Sequence, residues 1–287
     1  MSRVGFLPRP DRQPPGPLFD ELVAWVRSHG HEAVVTEEDG LSPAGARVVP
    51  EAELGASIDL GVVLGGDGSM LRAAHLLADH FVPVLGINLG SLGFLSPFDP
   101  SDATAALDAA LAGALPIVER MRMEVTLEQC DGNRRTRRGL NEAVVHQGTV
   151  ARLVELEARV DGMLVTEYSA DGLIVATPTG STAYNLAAGG PIIMPGLGAL
   201  ALTPICAHAL TNRPLVVPET SIITIVLPRQ AAGDDVVLTV DGNWVHPIRP
   251  GDRVTIKAAD RPFRVFASDK PYFDILREKL HWGARTR

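Results

Sequence analysis

Asp67 sits in Gly65-Gly66-Asp67-Gly68-Ser69, between the apolar run 58–64 and a helical run expected over 69–78. Glycines at such a turn let a phosphate approach the backbone closely. A helix N-terminus adds unpaired N–H groups and the positive end of a dipole. Asp67 places a negative charge in that anion site. A plain phosphate cradle has no use for the charge, whereas a site that deprotonates a hydroxyl, or holds a metal beside phosphates, does. The turn is not a P-loop, because no Gly-Lys-Ser/Thr follows. Nor is it the dinucleotide fingerprint G-x-G-x-x-G with an acidic residue on the next strand. Taken alone it also reads as a strand-to-helix turn with Asp67 as N-cap.

Two further constellations carry chemistry. Residues 170–185 read ADGLIVATPTGSTAYN, a β-branched strand running into a turn with Thr177, Thr179, Ser181 and Thr182. Four hydroxyls exceed what an N-cap requires and suit a polar ligand. Tyr184 could stack on a base, and Gly189-Gly190-Pro191 ends the helix that follows. Asn141-Glu142 lies inside a strand expected over 140–146. Neighbours on a regular strand point to opposite faces. A bulge or strand end would bring both side chains to one ligand, where they could read the two hydroxyls of a ribose. Asp67 and Asp171 are the two aspartates at glycine-containing turns in apolar surroundings.

The eight histidines show no HExxH or similar spacing, and Cys130 and Cys206 form no CxxC pair. No protein-bound structural metal is expected, and the cysteines suit a reducing cytoplasm. A net charge of −8 argues against nucleic acid as an obligate partner. The basic run 134–138 follows Asp131-Gly132-Asn133 and reads as a solvated hairpin flank. No run reaches the ~18 apolar residues of a membrane span, and MSRVGFLPRP lacks the long apolar segment of a signal peptide. A cytoplasmic protein without membrane partners is expected.

These motifs need elements to hold them. Strands are expected at 4–7, 33–36, 58–64 and 82–87, alternating with helices at 18–28, 69–78 and from Pro100-Ser101-Asp102 to Gly113. Residues 37–57 carry no firm pattern. Alternation of this kind argues for a parallel sheet covered by helices. After about residue 118 strands dominate, at 123–129, 140–146, 152–160, 163–168, 221–227, 236–240, 253–257 and 264–266, with Asp-Gly turns between several of them. The 287 residues favour two domains: an α/β domain over 1–118, a β-rich, sandwich-like domain over 119–266, and a C-terminal helix within 267–287 packing back on the first.

In this order the motifs resemble the NAD kinase family, which uses ATP or polyphosphate. The likeness runs from GGDG through Gly90-Ser91-Leu92-Gly93-Phe94-Leu95, Asn141-Glu142 and DGLIVATPTGSTAYNLAAGGPI to HALTNRPL and the closing LREKLHWG. GGDG alone is shared with phosphofructokinases and with diacylglycerol and sphingosine kinases; the TPTGSTAYN turn is more specific. The resemblance implies a Rossmann-like N-terminal domain, a β-rich C-terminal domain and a homodimer or homotetramer. It implies transfer of a γ-phosphoryl group to the 2′-hydroxyl of the adenosine ribose of NAD, with Mg²⁺ carried by the phosphate donor and no metal site of the protein's own.

By the same resemblance Asp67 is the general base, and Gly65, Gly66 and Ser69 form the donor loop. Gly68, Arg72 and Arg152 lie at the nucleotide, and Phe94 lines the adenine pocket. Asn141 and Glu142 hold ribose or phosphate groups, and Asp171 reads the nicotinamide end. Thr182, Ala183, Tyr184, Asn185, Leu186 and Ala187 enclose adenine and its ribose, with Asn243 nearby. Three positions depart from the family pattern. Ser69 replaces a common threonine and keeps the hydroxyl. Ser169 stands where many members carry a basic residue or glycine, which leaves NAD against NADH open. Asn243 replaces glutamine and shortens the amide's reach. Two other readings remain at this point: a different GGDG-type kinase of a sugar or lipid, or a non-catalytic NAD(P)-binding regulator, which would have no need of Asp67.

Overall fold

The computed structural model describes residues 1–9, 16–90, 93–148, 153–228 and 235–281. Strand and helix alternate first: β1 (Arg3–Pro8), α1 (Pro17–Ser28), β2 (Glu32–Thr36), β3 (Arg47–Val49), α2 (Glu51–Ser57), β4 (Leu60–Leu64), α3 (Asp67–Leu77), β5 (Val84–Ile87), α4 (Ala103–Leu111) and β6 (Ile117–Arg120). Strands then follow as β7 (Met123–Glu128), β8 (Arg134–Gly139), β9 (Glu142–Gln147), β10 (Val154–Val160), β11 (Met163–Ala170) and β12 (Gly172–Ala176). The short α5 (Tyr184–Ala187) precedes β13 (Ala199–Ile205), β14 (Leu215–Pro218), β15 (Ile223–Val226), β16 (Val236–Val240), β17 (Trp244–Ile248) and β18 (Arg253–Ala258). β19 (Phe263–Phe266) and α6 (Tyr272–Leu280) complete the order. Two compact units result, one from residues up to Glu119 and from Arg261 onward, the other from Arg120–Asp260.

The first unit is a sheet of order β3-β2-β1-β4-β5-β19-β6, and its strands from β3 to β19 pair parallel. A parallel sheet covered on both faces needs strands that are apolar throughout; all five residues of β4 are buried. α1 buries Phe19, Leu22, Val23 and Val26, the i, i+3, i+4, i+7 stripe of an amphipathic helix. That stripe joins Val4, Phe6, Val62, Leu64, Leu85 and Ile87 in one core. The GGDG turn leaves the carboxyl end of β4, and the chain from Asn88 leaves the carboxyl end of β5, the edge where ligands meet open α/β sheets.

The second unit is a sandwich of two antiparallel sheets, β11-β10-β15-β18-β7-β8 and β14-β13-β12-β9-β16-β17. Val125, Leu156, Ile225 and Ile256 from one sheet pack with Val145, Val175, Leu202 and Leu238 from the other. β12 is buried on both faces, because Ile174 and Ala176 lie in a second cluster with Val144, Ile193, Ala199 and Ala201. The basic run forms the edge strand β8, paired with β7. Two of the Asp-Gly turns have both residues at positive φ, Asp161-Gly162 and Asp241-Gly242, the backbone that tight hairpins favour.

Several sequence expectations need correction. α3 begins at Asp67 with Gly66 as N-cap, not at Ser69. The prolyl start of the alanine-rich helix is a 3-10 turn whose cap is Asp99, accepting from Ser101 N–H at 3.0 Å; the α-helix itself starts at Ala103. The strand at 264–266, expected in the β-rich domain, is β19 of the first sheet, with Val265 opposite Val84 in parallel register. The chain therefore returns to the first unit after Asp260, a long-range crossing that leaves no local pattern. β3 and α2 occupy part of the stretch 37–57, and β13, β14 and β17 were not expected. Among the described residues, no helix is long and apolar enough to cross a membrane.

Candidate active site

In the first unit, three donors among the described residues hold Asp67. The Phe94 N–H donates to Oδ2 at 3.1 Å, the Leu95 N–H to Oδ1 at 3.0 Å, and Lys279 Nζ to Oδ2 at 2.9 Å. The carboxylate thus bridges the start of α3, the turn after β5 and the C-terminal helix. Gly93 makes this fit possible: a Cβ there would lie 2.3 Å from Asp67 Oδ1 and 2.5 Å from Ser96 Oγ. Gly66 and Gly68 have the opposite character. Neither has a positive φ, and a Cβ on either would meet nothing within 4 Å. Their lack of side chain keeps open the space before the helix N-terminus, where the first N–H groups lack intrahelical acceptors. Gly65 packs inward, its Cβ direction pointing at Ser69 Oγ 2.3 Å away.

Arg72, one turn further along α3, is turned toward protein. Its Nε and Nη2 donate to Glu51 Oε1 at 3.0 and 2.5 Å, and its Nη1 to buried Asp39 at 2.8 Å. It braces α3 against α2. Phe94 lies beside the C-terminal helix, 6.2 Å from the Tyr272 ring, with Lys279 Nζ 5.1 Å from its centroid.

In the second unit Asn141-Glu142 and the tyrosine turn form one cluster. β9 is the strand between β12 and β16. Glu142 stands opposite Ala176, and Ala143 opposite Val240. Antiparallel pairing therefore puts the start of β9 at the ends of both neighbours. Thr177 N–H donates to the Asn141 carbonyl at 2.9 Å and Thr177 Oγ1 to the Leu140 carbonyl at 2.5 Å. Gly180 is packed so tightly that a Cβ would lie 2.0 Å from the Asn141 carbonyl oxygen.

Asp241 locks the other side. Its Oδ2 accepts from Leu140 N–H at 2.7 Å, and its Oδ1 from Asn141 N–H at 2.7 Å and Glu142 N–H at 3.2 Å. Sequence reasoning missed this residue. The signal was an aspartate opening a tight Asp-Gly turn, but its partners lie about a hundred positions away. The Asn141-Glu142 pair sits at a strand end, the arrangement needed for both residues to serve one ligand.

Glu142 is buried and has a strongly perturbed carboxyl. Burial, reinforced by the Asp241 charge, pushes it up to about 8, against the opposing hydrogen bond from Tyr184 N–H. Its Oε2 has no hydrogen-bond partner among the described residues. A carboxyl that keeps its proton at neutral pH can donate as well as accept, which matches a sugar hydroxyl. Burial also raises Asp241, against the pull of its three backbone N–H bonds.

The hydroxyl turn divides into two kinds of residue. Thr177 and Ser181 are fully buried. Ser181 Oγ donates to the Pro178 carbonyl at 2.6 Å and accepts from Ile193 N–H at 3.0 Å. These two hydroxyls shape the turn and are satisfied within the protein. Asn185 is likewise fully buried, donating to the Ser181 and Pro191 carbonyls and accepting from Thr203 Oγ1 at 2.7 Å. Tyr184 is 46% exposed, and Thr182, Ala183, Leu186 and Ala187 are accessible beside it. Asn243 follows the Asp241-Gly242 turn at the same end of the sheet. Asp171 does not join the cluster. It precedes β12, whereas Thr177 follows it, a separation of about 20 Å along an extended strand. Arg152 lies outside the described residues. Among those described, no group of three or more His, Cys, Asp or Glu side chains could hold a metal ion.

Comparison with known proteins bears on this geometry. Residues 25–115 match the ATP-NAD kinase N-terminal domain, and residues 140–268 the ATP-NAD kinase C-terminal domain. A Koribacter versatilis NAD kinase is 39% identical over 286 residues, covering 99% of this chain and 100% of that protein. A Geotalea daltonii NAD kinase is 42% identical over 269 residues, covering 93% and 94%. Among solved structures, yeast NADH kinase complexed with NADH superposes with a TM-score of 0.90 at 28% identity, covering 100% of this chain and 89% of that one. An Archaeoglobus fulgidus NAD kinase shares the fold, with a TM-score of 0.76 at 24% identity and coverage of 98% and 99%. With both domain models matched in order and relatives near 40% identity over almost the full length, the chain belongs to the ATP-NAD kinase family.

Proposed function

We propose that the protein phosphorylates the 2′-hydroxyl of the adenosine ribose of NAD, giving NADP, with Asp67 as general base. The observation that carries this reading is the Asp67 carboxylate, fixed by three donors at a helix N-terminus beside two glycines that open onto free space. An alcohol is a poor nucleophile, and a positioned carboxylate can take its proton as the bond to phosphorus forms. Phosphoryl transfer otherwise needs alignment and charge neutralisation.

Substrate recognition falls to the second unit. Tyr184 offers an exposed ring to a base, and Asn141 and Glu142 offer an amide and a proton-bearing carboxyl to ribose hydroxyls. Gly68, Phe94, Arg152, Asp171 and Asn243 are assigned to the nucleotide by family likeness, whereas Arg72, whose guanidinium is held by Glu51 and Asp39, is assigned to bracing α3 behind it. The donor is ATP or polyphosphate, with Gly65, Gly66 and Ser69 at its phosphates. Mg²⁺ is assigned to those phosphates by family likeness, as a hard cation that prefers phosphate and water oxygens. Its chemistry there is to neutralise charge on the transferring group. Both cysteines are free and exposed, which suits a reducing cytoplasm. The edge strand β11 exposes Met163, Leu164 and Val165, apolar surface that suits a homodimer or homotetramer.

Incubating purified protein with NAD, Mg²⁺ and either donor, and reading NADP with an NADP-specific dehydrogenase, tests the proposal. Formation of NADP with at least one donor is expected. Its absence with both overturns the reading.

A further inference from the structure

We propose that Lys279, on the C-terminal helix, is a positioning residue for Asp67 in phosphoryl transfer, an inference that rests on the NAD kinase reading above. Lys279 Nζ donates to Asp67 Oδ2 at 2.9 Å, the same oxygen that accepts from Phe94 N–H, and it lies 5.1 Å from the centre of the Phe94 ring. The helix that carries it is anchored by buried Ile275 and Leu276. Two other cations near it are engaged elsewhere: Lys270 pairs with Glu278 at 2.5 Å, and Arg277 with Asp274. Lys279 is 31% exposed and Asp67 30%, so the pair borders solvent.

The consequence lies in the lone pairs. Each carboxylate oxygen has room for about two donors. Among the described residues, Oδ2 receives Phe94 N–H and the Lys279 ammonium, whereas Oδ1 receives only Leu95 N–H. The lysine thereby selects Oδ1 as the oxygen that takes the hydroxyl proton. As the ribose oxygen bonds to the terminal phosphorus, its proton passes to Oδ1. The bond from phosphorus to the bridging oxygen breaks, and the shortened donor leaves with that electron pair. Without the ammonium, two backbone N–H bonds remain and the carboxylate gains rotational freedom.

An opposite role is conceivable for the same contact, a latch that occupies the base until substrate arrives, and the two roles give opposite results. In the full-length chain, Lys279→Met and Lys279→Arg are compared with wild type for kcat, for KM of NAD and of donor, for NAD affinity by calorimetry, and for thermal unfolding. A positioning role lowers kcat of Lys279→Met by about 10²-fold, the scale of a misplaced catalytic group. KM and Kd for NAD stay within about twofold, the melting temperature holds, and Lys279→Arg recovers most of kcat. A Lys279→Met enzyme with kcat above wild type overturns the proposal in favour of a latch. Equal losses in both variants with a lowered melting temperature overturn it in favour of a structural tie. A wild type that makes no NADP overturns the NAD kinase reading and this inference with it; an active wild type with an indifferent Lys279→Met overturns the inference alone.

Discussion

Replacing Glu142 with glutamine should flatten the pH dependence of stability. The carboxyl titrates near its ordinary 4.5 in the unfolded chain and near 8 in the native protein. Below 4.5 both states hold the proton and nothing depends on this group. As pH rises from there, the unfolded chain sheds the proton while the native protein keeps it. The unfolded state then binds fewer protons than the native, and stability falls with each pH unit until about 8, above which both states are ionised. Between pH 5.5 and 8 the loss is about 3 kcal/mol at about 1.4 kcal/mol per pH unit.

Glutamine is neutral throughout and escapes this loss. It brings its own cost, an amide placed where Oε2 has no partner, about 1–3 kcal/mol, but that cost does not vary with pH. The diagnostic quantity is therefore the stability difference between the two proteins at pH 8.5 minus that at pH 5.5. Urea unfolding gives it, read from the fluorescence of half-buried Trp244 in the second unit's core after Trp25→Phe and Trp282→Phe. Glu142→Gln should gain about 3 kcal/mol on wild type across that interval. If the two proteins lose stability in parallel, Glu142 is ionised in the native protein, and the picture of a proton-bearing carboxyl meeting a ribose is wrong.

Other outcomes follow from single contacts. Asp67→Asn should keep NAD affinity and lower kcat by roughly 10²-fold or more, the scale of a lost general base; normal turnover would remove Asp67 from that role. Gly93→Ala places a methyl 2.3 Å from Asp67 Oδ1, so it should lower kcat to a similar degree and cost about 1–3 kcal/mol of stability, both read on one preparation by kinetics and thermal unfolding. Asp241→Ala strips the acceptor from three backbone N–H groups at 140–142. It should cost about 2–3 kcal/mol and raise KM for NAD, whereas Asp241→Asn retains the Oδ1 bonds and costs less.

Much of the fold was legible because it rests on local rules. β4 and the helix after it announce themselves through an apolar run, glycines and helical spacing. The Asp-Gly turns do so through residues that accept positive φ. The change from α/β alternation to consecutive strands marks the passage from one unit to the next. The stretch 37–57 was opaque because its elements are short and its apolar residues few: β3 has three residues and only Val49 is buried.

The site divides along the same line. By itself the sequence determined which residue types were available and where the backbone could turn: an aspartate in a glycine turn, an amide beside a carboxylate, a tyrosine after a run of hydroxyls. Tertiary structure alone decided which of them meet. Asn141-Glu142 became a strand end because Asp241, far along the chain, accepts from its N–H groups. Thr177 and Ser181 turned inward because nearby carbonyls and the Ile193 N–H satisfy them. β19 returned to the first sheet, and Lys279 reached Asp67 across 212 positions. Periodicity and turn chemistry constrain a residue through its immediate neighbours. A buried polar group takes whatever partner the assembled core brings within hydrogen-bonding distance, and that partner is fixed only when distant segments pack together.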